Sequence, residues 1–147
     1  MIYGSIEEAD DYFGERLNTD VWAASNDTDK FKALAMATRA IDRLNFMGSK
    51  ADPTQELQFP RGVDTDVPGD ILTATYECAI AFLDGFDPNI EIENLAITHQ
   101  GVAEVRNTYD RTFALQHIRA GIPSATAWTY LKPYLRDPNY FNMSRVN

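Results

Sequence analysis

The chain has one cysteine, two histidines and no apolar run long enough to span a membrane, and each scarcity excludes something. A lone Cys78 cannot form an internal disulfide and suits a reducing compartment. His99 and His117 lie far apart, and neither has a second ligand-type residue at helical spacing, so no zinc site is read. A membrane helix needs about 20 consecutive apolar residues, and none occurs. The opening Met1-Ile2-Tyr3-Gly4 lacks the basic-then-apolar order of a secretory signal, so the sequon Asn142-Met143-Ser144 is read as accidental. Eight Gly and seven Pro in 147 residues are too few for a fibrous or disordered class. Phosphate loops of the G-x-x-x-x-G-K-[ST] and G-x-G-x-x-G types are missing, as is a G-x-S-x-G nucleophile elbow. The acids Asp64, Asp66 and Asp70 lack the loop length and closing Glu of an EF-hand. Set around Pro68, they complement a helix N-terminus instead. No catalytic, cofactor-binding or metal-binding residue is assigned, and the chain is read as a non-enzyme.

Bases are scarce as well, and unevenly placed. Residues 1–94 hold nineteen acids and seven bases, a charge of −12; residues 95–147 hold three acids and six bases, a charge of +3; together they give the net −9. An acidic body repels phosphate backbones, because nucleic-acid affinity rests mainly on cations. A basic tail on an acidic body has a natural partner in the acidic body of a neighbour.

What is present is helical pattern with clear punctuation. Ser5-Ile6-Glu7-Glu8 has capping-box form. Behind it Ile6, Ala9, Phe13 and Leu17 follow 3.6-residue spacing, which predicts a helix over 6–17. Thr19 to Ala24 reads as one extra turn that carries Trp22 inward. A second helix is expected from Ser25-Asn26-Asp27 to about Phe46, with Phe31, Leu34, Ala35, Thr38, Ile41 and Leu44 as its inner stripe and Gly48 as its stop. A third begins at Pro68 and runs through Ile71, Thr75, Cys78, Ala79 and Phe82 to Gly85. Residues 49–67 form a long loop around Leu57-Gln58-Phe59-Pro60-Arg61-Gly62; loops of this length tend to be functional. A short helix is expected over 89–94, and a β-hairpin or extended arm over 95–110. The last helix opens at Ser124, carries Ala125, Trp128, Tyr130, Leu131 and Leu135, and ends or kinks at Pro133. The expected architecture is mainly α: a small helical bundle over 1–136 with a minor hairpin or arm, then an extended tail over 137–147.

Aromatic and basic residues interleave toward the C-terminus. Phe113, Trp128, Tyr130, Tyr134, Tyr140 and Phe141 fall among Arg111, Arg119, Lys132, Arg136 and Arg145. A single-stranded nucleic-acid groove uses such a mixture, and so does a protein interface. Docking on protein is the preferred reading. The candidate partner-facing residues are Phe59, Arg61, Tyr134, Arg136, Tyr140, Phe141 and Arg145.

Several stretches together carry a family resemblance. They are Tyr3-Gly4-Ser5 with Glu8-Ala9-Asp10, Tyr12-Phe13 and Trp22; Ala37 through Leu44; Gln58 through Gly62; Val67-Pro68 before Asp70-Ile71; Gly121 through Ala125; and Leu131 through Arg136. The chain resembles tailed-phage head–tail connector proteins, also called adaptor or head-completion proteins, whose relatives often carry a DnaT-like single-stranded-DNA-binding label. The resemblance implies a structural virion protein in a ring, usually twelve-fold, at the head–tail neck and assembled in the host cytoplasm. Its implied partners are the portal protein, neighbouring copies of itself, and a tail, stopper or tail-completion protein. Double-stranded DNA would pass through the lumen without specific binding, with no cofactor and no membrane. The alternative is a single-stranded-DNA-binding protein of the DnaT-like type.

Overall fold

A computed structural model describes residues 1–93 and 115–136. The expected hairpin or arm at 95–110 and the tail at 137–147, with Tyr140, Phe141 and Arg145, lie outside the described residues. Within them the chain is helical, in the order α1 (Ile6–Gly14), α2 (Asp20–Ala24), α3 (Asp27–Asp42), α4 (Gly69–Leu83), a helical segment over 88–93, α5 (Gln116–Arg119), α6 (Ala125–Leu131) and a 3-10 turn (Lys132–Tyr134). Backbone pairing outside helices is confined, among the described residues, to two isolated bridges, Phe46 with Leu135 and Lys50 with Arg61.

Side-chain caps fix three helix starts. Ser5 Oγ accepts from the Glu8 amide at 3.1 Å, Asn26 Oδ1 from Asp29 at 2.8 Å, and Ser124 Oγ from Ala127 at 3.1 Å. Each satisfies an amide that has no partner within the helix. The capping box at α1 is only half made. The Glu8 carboxylate does not turn back; it accepts from the Tyr76 hydroxyl on α4 at 3.0 Å.

α4 is the centre. It is buried almost all round, from Ile71 through Ala74 to Ile80, and α3 packs along it with α6 on another side. The residues that α3 buries include Ala33, Leu34, Ala37, Thr38, Ala40 and Ile41. Its three buried alanines allow close approach, and that turns the helix away from the expected stripe: Phe31 is 50% exposed. α1 ends at Gly14 rather than at residue 17, and Leu17 is 84% exposed, not inward. The chain leaves the helix at Glu15 (φ −109°, ψ 12°) and then turns through Asn18, at a left-handed φ of 60°. Arg16 Nη1 closes that turn by donating to the Leu17 and Asn18 carbonyls at 2.8 and 3.3 Å.

α3 also stops short, at Asp42 rather than Phe46. By leaving the helix, the chain brings Phe46 into the core and onto its bridge with Leu135. Gly48, at φ +74°, lies beyond this exit and does not terminate the helix. Gly4, at φ +75°, has a stricter role. A methyl group there would run into the ring and hydroxyl of Tyr76. Pro68 caps α4 rather than opening it. Gly85 follows the end of α4 at φ +90°, donating to the Phe82 carbonyl at 3.0 Å. The short helix after Pro88 covers 88–93 of the described residues, and α6 ends at Leu131, just before Pro133.

Candidate interface for protein or nucleic acid

The guanidinium of Arg61 ties the long loop to the chain that leaves α3. Arg61 donates through Nε to the Met47 carbonyl (2.8 Å), through Nη1 to Gln58 Oε1 (2.8 Å), and through Nη2 to the Gly48 carbonyl (2.7 Å). Its flat face lies about 6.0 Å over Phe46 and 5.9 Å over Phe59. Phe59 precedes a cis peptide bond to Pro60. It packs edge-on against Phe46 (4.7 Å), Tyr134 (5.9 Å) and Tyr3 (6.2 Å). One aromatic cluster therefore gathers the N-terminus, the loop and the C-terminal 3-10 turn.

Of the seven candidate partner-facing residues, Phe59, Arg61 and Tyr134 meet here, and Arg136 lies just after Tyr134 in the chain. Phe59 is 4% exposed, so its ring serves the subunit's own core. Arg61 spends its donors on the loop. Tyr134 is half-buried, and its hydroxyl donates to Asp70 Oδ2 at 3.0 Å. The Arg136 amide donates to the Asn45 carbonyl at 2.9 Å while its side chain is exposed. Burial raises the Tyr134 hydroxyl above its usual range, and the carboxylates of Asp70 and Asp64 add to the effect.

A second polar centre joins α1 to α4. The buried Glu77 carboxylate accepts from Arg16 Nε at 2.8 Å, Arg16 Nη2 at 3.0 Å and the Tyr12 hydroxyl at 2.5 Å. The third centre carries a buried lysine. Lys30 Nζ reaches Asp10 at 3.1 Å and lies 5.1 Å over the Trp22 ring, whose Nε1 donates to the same carboxylate at 2.7 Å. Burial works against the charge of Asp10, yet the Trp22 and Lys30 hydrogen bonds outweigh it and hold the carboxyl below its usual value. Sequence pattern singled out neither centre, because a lone charge within a helix carries no periodic sign of a buried partner. The one available signal was the aromatic residues, Tyr12 and Trp22, able to receive Glu77 and Lys30.

Cys78 is fully buried, and burial, with Glu77 nearby, pushes its thiol well above the usual value. His117 is buried, its Nδ1 2.8 Å from the Ile122 carbonyl. Among the described residues, no three His, Cys, Asp or Glu side chains converge as a metal site would require. No helix among them is long and apolar enough to cross a membrane.

The surface carries acids and protruding apolar groups more than aromatic platforms. Trp22, Trp128, Phe13, Phe46, Phe59, Tyr3 and Tyr76 are all buried; Phe31 and Tyr130 are the exposed rings among the described residues. Two exposed arginines, Arg39 on α3 and Arg43 at its C-cap, have guanidinium groups that form no ion pair or hydrogen bond with any described residue. They line a groove of about 440 Å³ with Met36, Phe82, Asp87 and Pro88.

A protein-family model matches residues 2–146, and its description is "Putative DnaT-like ssDNA binding protein". The chain belongs to this DnaT-like family. No curated protein and no solved structure matches it. The match spans nearly the whole chain.

Proposed function

We propose that this member of the DnaT-like family is a structural, non-enzymatic virion protein. It forms one subunit of a ring that docks on the portal of a tailed phage and joins the DNA-filled head to the tail. The observation that carries this reading is how the described surface divides its side chains. Most large aromatic rings are inside, Phe31 and Tyr130 excepted among the described residues, while Leu17, Met47 and Val63 project singly from a surface that also exposes many acids. Bases of nucleic acid need aromatic platforms and a cationic track; protein partners need apolar projections with charges at the rim. An acidic wall also lets passing DNA slide instead of sticking.

The second reading is single-stranded-DNA binding, and the family description favours it. It is the reading for which the comparisons speak. Its cations would be Arg39 and Arg43 with the basic residues after position 94.

A fluorescence-anisotropy titration with single-stranded oligonucleotides separates the two. The connector reading expects weak or no binding at about 150 mM salt, where surface charges are screened beyond about 8 Å. Submicromolar affinity there would establish the second reading. Imaging of purified virions, with this chain located in the neck density or absent from it, tests the first directly.

A further inference from the structure

We infer that copies of this chain associate head to tail, the acidic outer stripe of α1 on one copy docking against the Arg39–Arg43 groove of the next. This deepens the self-assembly part of the connector reading and rests on it for its biological setting, though its physical basis is separate.

The argument begins with two unpaired stripes of opposite sign. Glu7, Asp11 and Glu15 recur every fourth residue along α1 and its cap, all exposed, their carboxylates without a hydrogen bond or ion pair to any described residue. The neighbouring acids Glu8 and Asp10 are already engaged, by Tyr76 and by Trp22 with Lys30. On α3 and at its C-cap, Arg39 and Arg43 have the same four-residue spacing and the same lack of side-chain partners. Four residues rise about 6 Å along a helix, so the two stripes share one repeat. The groove's own acids, Asp42 and Asp87, form no ion pair with the arginines. Asp42 Oδ1 accepts from the Tyr3 hydroxyl and the Gln58 amide, and Asp87 Oδ1 accepts from the Asn89 amide at 2.9 Å.

Apolar residues fix the direction. Met36, 43% exposed, precedes Arg39 by three positions; Leu17, 84% exposed, follows Glu15 by two. Antiparallel docking sets Leu17 against Met36, Glu15 against Arg39 and Asp11 against Arg43. Parallel docking would leave the apolar pair at opposite ends. Since donor and acceptor stripes are different surfaces of one chain, the contact is heterologous, the kind that closes rings or extends filaments. A nucleic acid is the less favoured occupant, because its phosphates would have to approach the many acids of residues 1–94.

The test uses the full chain and sedimentation velocity at high protein concentration. The wild type is expected to associate reversibly. Asp11→Lys/Glu15→Lys and Arg39→Glu/Arg43→Glu should each weaken association roughly tenfold or more, with unchanged melting, since all four side chains are exposed and unpaired. Mixing the two variants should restore it, because each then offers what the other lacks. Leu17→Cys mixed with Met36→Cys should cross-link between copies, Cys78 being buried. Association that persists in both reversal variants would overturn this interface while leaving self-assembly standing. A wild type that stays monomeric would overturn head-to-tail docking, and the virion imaging would still decide the connector reading. Loss of oligonucleotide binding instead of self-association in Arg39→Glu/Arg43→Glu would make the groove a nucleic-acid site.

Discussion

The Tyr3 hydroxyl donates to the Asp42 carboxylate, joining residues 39 positions apart. The same hydroxyl accepts from the Phe59 amide at 3.2 Å, and the Tyr3 amide donates to Thr38 Oγ1 at 3.0 Å. One residue thereby ties the N-terminus to the end of α3 and to the start of the cis-proline turn. The loop over 49–67 is ordered through this residue and through Arg61.

Tyr3→Phe should therefore cost about 1–3 kcal/mol, because it leaves the buried Phe59 amide without its acceptor and Asp42 with the Gln58 amide alone. Chemical denaturation checks this. A loss confined to a few tenths would show that water replaces the hydroxyl.

Gly4→Ala should be costly for a different reason. Its φ of +75° disfavours a side chain, and the added methyl meets Tyr76. The expected loss is about 2–4 kcal/mol, with strain and overpacking both contributing. Gly48→Ala keeps the backbone strain but has open space around it, so it should cost visibly less. Equal losses would mean that Tyr76 yields freely.

How much of this was legible beforehand depended on period and on partners. Ser5, Asn26 and Ser124 announced helix starts, and their side chains cap them. Trp22, Leu34, Ile41, Ile71 and Cys78 were expected inward and are buried. Phe31 and Leu17 were expected inward and are not, because periodicity fixes spacing but not the phase that three close-packed alanines impose on α3. Of the candidate interface, the sequence supplied the residues Phe59, Arg61 and Tyr134 but not their mutual stacking, which depends on chain ends meeting over long separations. The unpaired Arg39–Arg43 stripe was invisible, since an exposed charge pair on a helix looks the same whether or not it is paired.

Leu34→Ala should cost about 2–5 kcal/mol, the range for a fully enclosed aliphatic side chain. Phe82→Ala should cost less despite removing more atoms, because Phe82 is only partly buried and lines the open groove. Denaturation of both variants decides the order. A reversed order would show that the groove is filled in solution.

Alkaline pH should unfold the protein through its tyrosines. Burial raises the hydroxyls of Tyr3, Tyr12 and Tyr76 above their ordinary value of 10.0, and the carboxylates of Asp42, Glu77 and Glu8 raise them further. The folded state thus keeps protons that the unfolded chain releases. The stability they contribute is complete below pH about 10 and drains away as pH climbs toward the raised folded values. Melting temperature followed across this range should fall steeply, and Tyr12→Phe should flatten the fall. A melting temperature constant to the alkaline limit would contradict the burial of these hydroxyls.

Arg16→Leu should be the most informative substitution in the α1–α4 contact. Glu77 is 3% exposed at its side chain and Arg16 is 33% exposed. Deleting the guanidinium leaves a carboxylate in a buried site with the Tyr12 hydroxyl, at 2.5 Å, as its remaining donor among the described residues. Stranding a charge in this way costs roughly 3–5 kcal/mol in a fully buried pair. Because Arg16 is a third exposed and water can follow it out, about 2–3 kcal/mol is expected here. Part of that loss belongs to the turn, since Arg16 also holds the Leu17 and Asn18 carbonyls. A double-mutant cycle separates the two contributions. Glu77→Gln removes the charge but keeps the shape, so placing it in the Arg16→Leu background should recover about 1 kcal/mol or more, while the turn's share stays lost. If the two substitutions instead add within about 0.5 kcal/mol, the ion pair contributes nothing to holding α1 on α4, and the stability lies in the Tyr12, Phe13 and Tyr76 rings that pack around it.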